Sequence, residues 1–346
     1  MKGARLLLLA TPVAALAQSG TPQVSNAQLE TRAVSGDALP ELREFARSKQ
    51  GPEWFGYGVR TASSDQKSCC WTNNCAGCRL EGGEGTINGA VKGPVHLEGS
   101  STIFVLYRVA NHSIGKVREF SENCPIDVGG LHFTFFTGVS DAASIALLSD
   151  QVGNVEGRHE ADSSLAAIAQ HESKLADQAL ERFANASQPE WLREKALFWL
   201  ASARGESGFR VVRDTARNDP NDRIREKTMF DLTLCKTPEA TDELIRAAKS
   251  DSATPVRKQA LFWLSQKAEK KVVGVIDDAA RNDPNTEVKK SAVFALQQLP
   301  EGEGVPLLIE LAKSNSNAEV RKQAMFWLGQ SHDKRALDFF EQVLSH

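Results

Sequence analysis

From residue 192 onward this chain repeats itself. An apolar residue followed by a basic or polar helix-forming stretch returns every 32 residues with no insertion: LREKALFWLAS from Leu192, IREKTMFDLTL from Ile224, VRKQALFWLSQ from Val256, VKKSAVFALQQ from Val288 and VRKQAMFWLGQ from Val320. A period of this length outranks any local motif, because it dictates architecture. A second pattern precedes each copy. Leu180, Val212, Leu244, Ile276, Leu308 and Phe340 form one column, and Ala184, Ala216, Ala248, Ala280 and Ala312 form another four residues later. A spacing of four places both columns on one face of a helix.

Breakers separate the two patterns: NDPND at 218–222, SDSATP at 250–255 and NDPNT at 282–286. Asp219-Pro220 and Asp283-Pro284 read as helix starts, an N-cap acceptor followed by a proline whose missing N–H costs nothing there. Each unit is therefore predicted to be a helical hairpin. Neither helix can bury its apolar face alone, so the hairpins must stack into an α-solenoid. Leu165 and Ile168 lie one period before Leu197 and Leu200, and predict a leading half-unit near 160–171. Phe340 and Leu344 predict a trailing one. The array is expected to span 160–346, as five full units plus flanking half-units.

The second-helix pattern has an aspartate, then a valine–arginine pair, then small or apolar residues ending in leucine. It resembles HEAT repeats, and more narrowly the short HEAT-like repeats of the phycobilisome-lyase type. Asp219, Asp251 and Asp283 match the aspartate of that motif, and Arg193, Arg225, Arg257 and Arg321 its arginine. Lys289 stands in for the arginine once, while Ser187 and Asn315 replace the aspartate, so a ladder of Asp–Arg pairs between neighbours should be incomplete. The resemblance implies a binding scaffold whose second helices line a concave groove.

Stepping about 100° per residue from Val256 puts Ala260, Leu264 and Trp263 in the buried sector and Phe262 opposite to it. The same position is Phe198, Phe230, Phe262, Phe294 and Phe326 in the five units. Five rings on the face turned from the core read as a binding stripe, or as cement if each packs sideways on its neighbours. Beside them the charge changes sign along the array, through Glu194, Glu226, Lys258, Lys290 and Lys322. A partner in the groove is expected to lie with its acidic end toward Lys258, Lys290 and Lys322.

The rest of the chain is of another kind. Lys2 and Arg5, an apolar run from Leu6 to Leu16 and the small-residue site Ala15-Leu16-Ala17 read as a secretory signal peptide over 1–17, cut after Ala17. The run is too short for a membrane span, which needs roughly 20 apolar residues. A periplasmic or secreted location follows. Residues 18–152 are predicted to be a small α+β domain, and 153–159 a linker. In this domain 36–50 reads as a helix, 53–61, 101–109, 115–120 and 131–136 as strands, and 140–152 as a final helix capped by Ser140.

Five of the six cysteines, Cys69, Cys70, Cys75, Cys78 and Cys124, fall in this domain, and Cys235 stands alone in the array. In an exported protein such a cluster suits disulfides, and four cysteines within ten residues also suit zinc. Sequence neighbours such as Cys69 and Cys70 seldom bridge each other, so separate partners are expected, Cys124 among them. No catalytic constellation emerges. His159-Glu160 and His171-Glu172 lack a second histidine at zinc-protease spacing, and Gly205-Glu-Ser207-Gly208 is one residue short of a nucleophile elbow. The net charge of -3 argues against a nucleic-acid partner. These features point to an exported protein-interaction scaffold without cofactor, metal or catalytic residues. The alternative is a thiol–disulfide, metal-dependent or lyase-like enzyme working at the cysteine loop.

Overall fold

In a computed structural model of the protein, the residues described are 20–62, 69, 77–82, 85–86, 101–154, 158–267 and 269–345. The expected signal peptide, Cys70 and Cys75 lie outside them. The chain divides into two compact units, Met1–Glu172 and Ser173–His346.

The first unit runs β1 (Val24–Ser25), β2 (Gln28–Ala33), α1 (Ala38–Ser48), β3 (Glu53–Arg60), β4 (Cys78–Arg79), β5 (Gly85–Thr86), β6 (Thr102–Ala110), β7 (Ser113–Ser121), β8 (Ile126–Asp127), β9 (His132–Thr137), α2 (Asp141–Asn154) and α3 (Arg158–Gln170). A mixed five-stranded sheet has the order β2-β9-β3-β6-β7, and a smaller one the order β1-β8-β4-β5. Because strand side chains alternate between faces, β3 sends Phe55 and Tyr57 to one side and Trp54 to the other. Phe55 stacks on Tyr107 and meets the edges of Phe45 from α1 and Phe136 from β9. On the other side Trp54, Phe104, Leu106, Phe133 and Phe135 pack with Ile126 and with Cys69, Cys78 and Cys124. Ser140 caps α2 as expected, accepting from the Ala143 N–H at 3.2 Å.

One boundary differs from expectation. The helix predicted as the leading half-unit of the array is α3, and it packs on α2 and β7 within the first unit. Its apolar residues Leu165 and Ile168 are buried as the pattern requires. A 32-residue echo thus marks an apolar helix face correctly without saying what covers it.

The second unit is an α-solenoid of five helical hairpins: α4 (Lys174–Ala184) with α5 (Glu190–Ala203), α6 (Gly205–Asn218) with α7 (Asp222–Leu234), α8 (Glu239–Ser250) with α9 (Thr254–Ser265), α10 (Lys270–Asn282) with α11 (Thr286–Gln297), and α12 (Val305–Ser314) with α13 (Ala318–Gln330). A last helix, α14 (Lys334–Leu344), packs on α12 and α13. The second helices form one layer, α5 on α7, α7 on α9, α9 on α11 and α11 on α13. Every member of the columns Leu180, Val212, Leu244, Ile276, Leu308 and Leu200, Leu232, Leu264, Leu296, Leu328 is buried. Each such side chain contributes about 1.5–3 kcal/mol of apolar burial. In α14 the column weakens, with Leu344 85% exposed and Phe339 taking the buried position next to the expected Phe340.

The helix starts lie two residues later than expected. Asn221 and Asn285 are the N-caps, accepting from the N–H groups of Arg223 and Glu287. Asp219 and Asp283 instead follow the preceding helices, and each accepts from the N–H of its Asn at 3.0 and 2.8 Å. The prolines sit between, in the turn. What freed these aspartates from capping is a second duty. Arg193 pairs with Asp219, Arg225 with Asp251 at 3.0 Å and Arg257 with Asp283 at 2.9 Å, each arginine reaching from one hairpin to the next. All six side chains are nearly buried. Each arginine also donates to a carbonyl at the end of its own first helix, as Arg225 does to Asp219 O at 2.7 Å and Arg257 to Asp251 O at 2.8 Å. Burial alone would raise the Asp251 carboxyl, but the hydrogen bonds from Arg225 and the Ala253 N–H bring its pKa below the ordinary 3.8.

The ladder is incomplete at one place only among these rungs. The spacing from arginine to partner aspartate is 26 residues, so Lys289 would face position 315, and there the aspartate is Asn315. Two of the three departures from the motif, Lys289 and Asn315, fall on the same rung, and the third, Ser187, lies 26 residues after Ala161, where there is no arginine to pair. Lys289 keeps the other half of the arrangement, donating to Arg281 O at 2.8 Å. On this rung no buried carboxylate is left without its cation.

Candidate functional site

The layer of second helices carries the aromatic row. Phe230 is 37% and Phe326 53% exposed, while Phe198, Phe262 and Phe294 are half-buried. Neighbouring rings touch. Phe198 stacks on Phe230 with centroids 6.4 Å apart, and Phe230 and Phe294 each meet a tryptophan of the following unit, Trp263 and Trp327, at 5.1 Å. Phe262 and Phe326 in turn meet the same tryptophans edge-on. The rings are therefore both an exposed face and mutual packing, at about 0.5–1.5 kcal/mol per pair beyond burial.

Trp263 was expected in the buried sector with Leu264; it is half-buried, as is Trp327. The indole sits at the edge of the core sector and is wide enough to lean onto the preceding unit's phenylalanine. Among the described residues its buried N–H has no acceptor, and neither has that of Trp327. The two near-identical eleven-residue stretches therefore build two near-identical aromatic clusters.

Between them the tryptophan position reads Trp199, Asp231, Trp263, Ala295, Trp327. At Asp231 the missing ring leaves a cleft of about 370 Å³ between α5, α7 and α9, lined by Phe198, Phe230 and Trp263 and by Glu194, Glu226 and Asp231. Asp231 is only 5% exposed, and no hydrogen bond or ion pair joins its carboxyl to the described residues. Burial, helped by the charge of Glu194, pushes its pKa up to about 8. Asp231 is the site residue that the repeat pattern did not single out. Its signal was there, a carboxylate in a column otherwise tryptophan or alanine.

Of the expected lysines, Lys322 is exposed and Lys258 and Lys290 are half-buried. Lys290 pairs with Glu287 at 3.2 Å, while Lys258 and Lys322 have no ion-pair partner among the described residues. The row thus runs from carboxylates on α5 and α7 to free cations on α9 and α13.

The cysteines form a staple. Cys69 and Cys124 are joined at an S–S distance of 2.06 Å, and Cys78, whose sulfur lies 3.8 Å from that of Cys124, is also disulfide-bonded. The three sulfurs lie close enough to one another for a metal, but a disulfide sulfur is not the thiolate that zinc binds. Three residues after Cys78, Glu81 is tied to the sheet by accepting from Trp54 Nε1 at 2.8 Å and Arg108 Nε at 2.6 Å. Cys235 is free and buried, and burial, then the nearby Asp231 and Glu206, push its thiol up to about 12. It is not a reactive thiol.

Ser144 Oγ and His171 Nε2 are 2.8 Å apart, the spacing of a nucleophile and its base, and His171 Nδ1 lies 2.8 Å from Ala167 O. Both side chains are wholly buried, so this pair fastens α2 to the end of α3. Ser207, in the near-miss of a nucleophile elbow, bonds Asp177 at 3.0 Å. Gly208 beside it is explained by packing, since a Cβ there would lie 1.9 Å from Leu200 O.

A family model described as HEAT repeats matches residues 275–346. The second unit carries this match from within α10 to α14. Among solved structures it is similar to the complex of CpcE and CpcF of phycocyanin lyase from Nostoc sp., at 23% identity over 46% of this chain and 100% of that one, with a TM-score of 0.34. It is also similar to AlkD2 from Streptococcus mutans, at 19% identity over 54% of this chain and 97% of that one, TM-score 0.39. Human deoxyhypusine hydroxylase is a third, at 15% identity over 58% and 85%, TM-score 0.29. None of these likenesses bears on what the helical array binds. No curated protein sequence matches the chain. Among the described residues no helix is long and apolar enough to cross a membrane.

Proposed function

We propose that this protein is an exported interaction scaffold whose second-helix face binds an extended segment of a protein or peptide. The observation that carries the reading is the row from Phe198 to Phe326, a ring on each of five consecutive units left partly exposed where α5, α7, α9, α11 and α13 lie side by side. Aromatic rings in such a row supply large contact area at small entropic cost, and rings tend to carry a large share of affinity. The row of Glu194, Glu226, Lys258, Lys290 and Lys322 favours a partner with its acidic end over α9 to α13. The disulfide-stapled first unit and the signal-like residues 1–17 support export.

Panning a phage-displayed library of random peptides on the purified protein tests the reading. Selected peptides should bind the wild type and lose at least about tenfold in affinity when Phe262 and Phe294 are both changed to serine. Peptides that bind the double variant as well as the wild type would overturn it.

A further inference from the structure

The cleft at Asp231 interrupts the aromatic face with a buried carboxyl, and we infer that it is a pocket for the guanidinium of an arginine side chain. The inference rests on the peptide-binding reading above and names one residue of the partner.

Three carboxyl-bearing side chains, Glu194, Glu226 and Asp231, line the cleft together with three ring systems. Neither Glu194 nor Glu226 has an ion-pair partner among the described residues, whereas Glu81, Glu243 and Asp277 are each paired with an arginine. The two lysines at the cleft, Lys195 and Lys227, are exposed. The Asp231 carboxyl has no partner among the described residues although the residue is nearly completely buried, a costly arrangement to keep unless something binds there. Burial also holds it protonated in the empty cleft. The charge that would complete the site is positive.

The shape selects among cations. The only cluster of metal-ligating residues that converges among the described residues is the cysteine one. The carboxylates of the cleft are spread around it, which suits a delocalised organic cation better than a metal ion. A guanidinium is planar, weakly hydrated, stacks on aromatic faces and donates in a fork to carboxylates. Phe198, Phe230 and Trp263 offer the faces, and Asp231 with Glu194 the acceptors. An ammonium would meet the same charge but forgo the stacking.

The test uses Nα-acetyl-arginine methylamide and its neutral citrulline isostere, titrated into the full-length protein and followed by tryptophan fluorescence and NMR. Arginine should bind saturably at millimolar concentrations and citrulline at least about tenfold more weakly. Asp231→Asn should weaken arginine by at least about tenfold. Asp231→Trp, which refills the cleft with the residue of the flanking units, should abolish binding with the helical circular dichroism unchanged. Glu181→Gln, an exposed carboxylate on α4, is the charge control and should change nothing. Equal affinity for arginine and citrulline, no saturable signal, or full binding by folded Asp231→Asn would each overturn the inference. The probe requires no peptide partner, so arginine binding with no selectable peptides would sink only the broader reading. Phe-dependent peptides indifferent to Asp231→Asn would sink only this one.

Discussion

Replacing Asp231 with asparagine should stabilise the array, and by an amount that depends on pH. Folded, the carboxyl titrates at about 8; unfolded, it returns to the ordinary 3.8. The folded state therefore holds its proton where the unfolded state has released it. Its contribution is fully present below 3.8 and is lost as pH rises through about 8. The slope approaches 1.36 kcal/mol per pH unit for one proton, so at pH 7 the wild type gives up at most about 4 kcal/mol relative to pH 4 through this group. Asparagine keeps the shape and the unpaired polar end but cannot ionise. Urea unfolding followed by circular dichroism at pH 4.5, 6 and 7.5 should show near-coincident curves at the lowest pH. The variant should pull ahead by a few kcal/mol at the highest, since every other titrating group is common to both proteins. Parallel pH profiles would refute the reasoning, because they would mean that Asp231 titrates near 4 and is either wet or paired. A variant weaker at all three pH values would mean that the carboxylate holds the hairpins together.

Other perturbations separate packing from face. Leu264→Ala, in the wholly buried column, should destabilise the array by about 2–5 kcal/mol in urea titrations, whereas Phe326→Ser, on a half-exposed ring, should remain below about 1.5 kcal/mol. Arg257→Ala leaves Asp283 buried without its cation and should cost about 3–5 kcal/mol, more than Lys289→Ala, whose rung has no carboxylate. Reduction with dithiothreitol should open Cys69–Cys124 and raise hydrogen exchange in the first unit, leaving the helical signal of Ser173–His346 intact; loss of both together would contradict two separate units. Mass spectrometry of the exported protein should find Gln18 as the first residue, and a retained Met1 or Lys2 would remove the support for export.

Much of the array was legible because one constraint is imposed five times. A residue that must face the core at Leu200 must do so again at Leu232, Leu264, Leu296 and Leu328, and repetition separates such positions from chance. The same logic placed the Arg–Asp rungs. It misjudged Asp219 and Asp283 as caps because a turn of the type Asp-Pro-Asn offers two acceptors, and which one caps depends on whether an arginine from the preceding hairpin claims the other. It placed Trp263 too deep because a wheel assigns an angle to the Cα and says nothing about where a wide indole can lean. Asp231 escaped notice since averaging over a column hides a single carboxylate among tryptophans and an alanine, and the break matters only once three helices are seen to enclose the gap. In the first unit the strands were legible from their alternation, but the pairing of Cys69 with Cys124 depends on a fold that brings residues 55 apart together, and spacing does not encode it.

The claim that a partner lies along the second-helix face is tested most directly by photo-cross-linking. A benzoyl-phenylalanine replaces Phe198, Phe230 or Phe326, or for comparison Arg210 on α6, and the adducts of a selected peptide are mapped by mass spectrometry. The positions at Phe198 and Phe230 should label the basic part of the peptide and the position at Phe326 its acidic part, with Arg210 giving no adduct. Labelling from Arg210 in preference to the three phenylalanine positions, or the same peptide residue labelled from both ends of the row, would contradict the account.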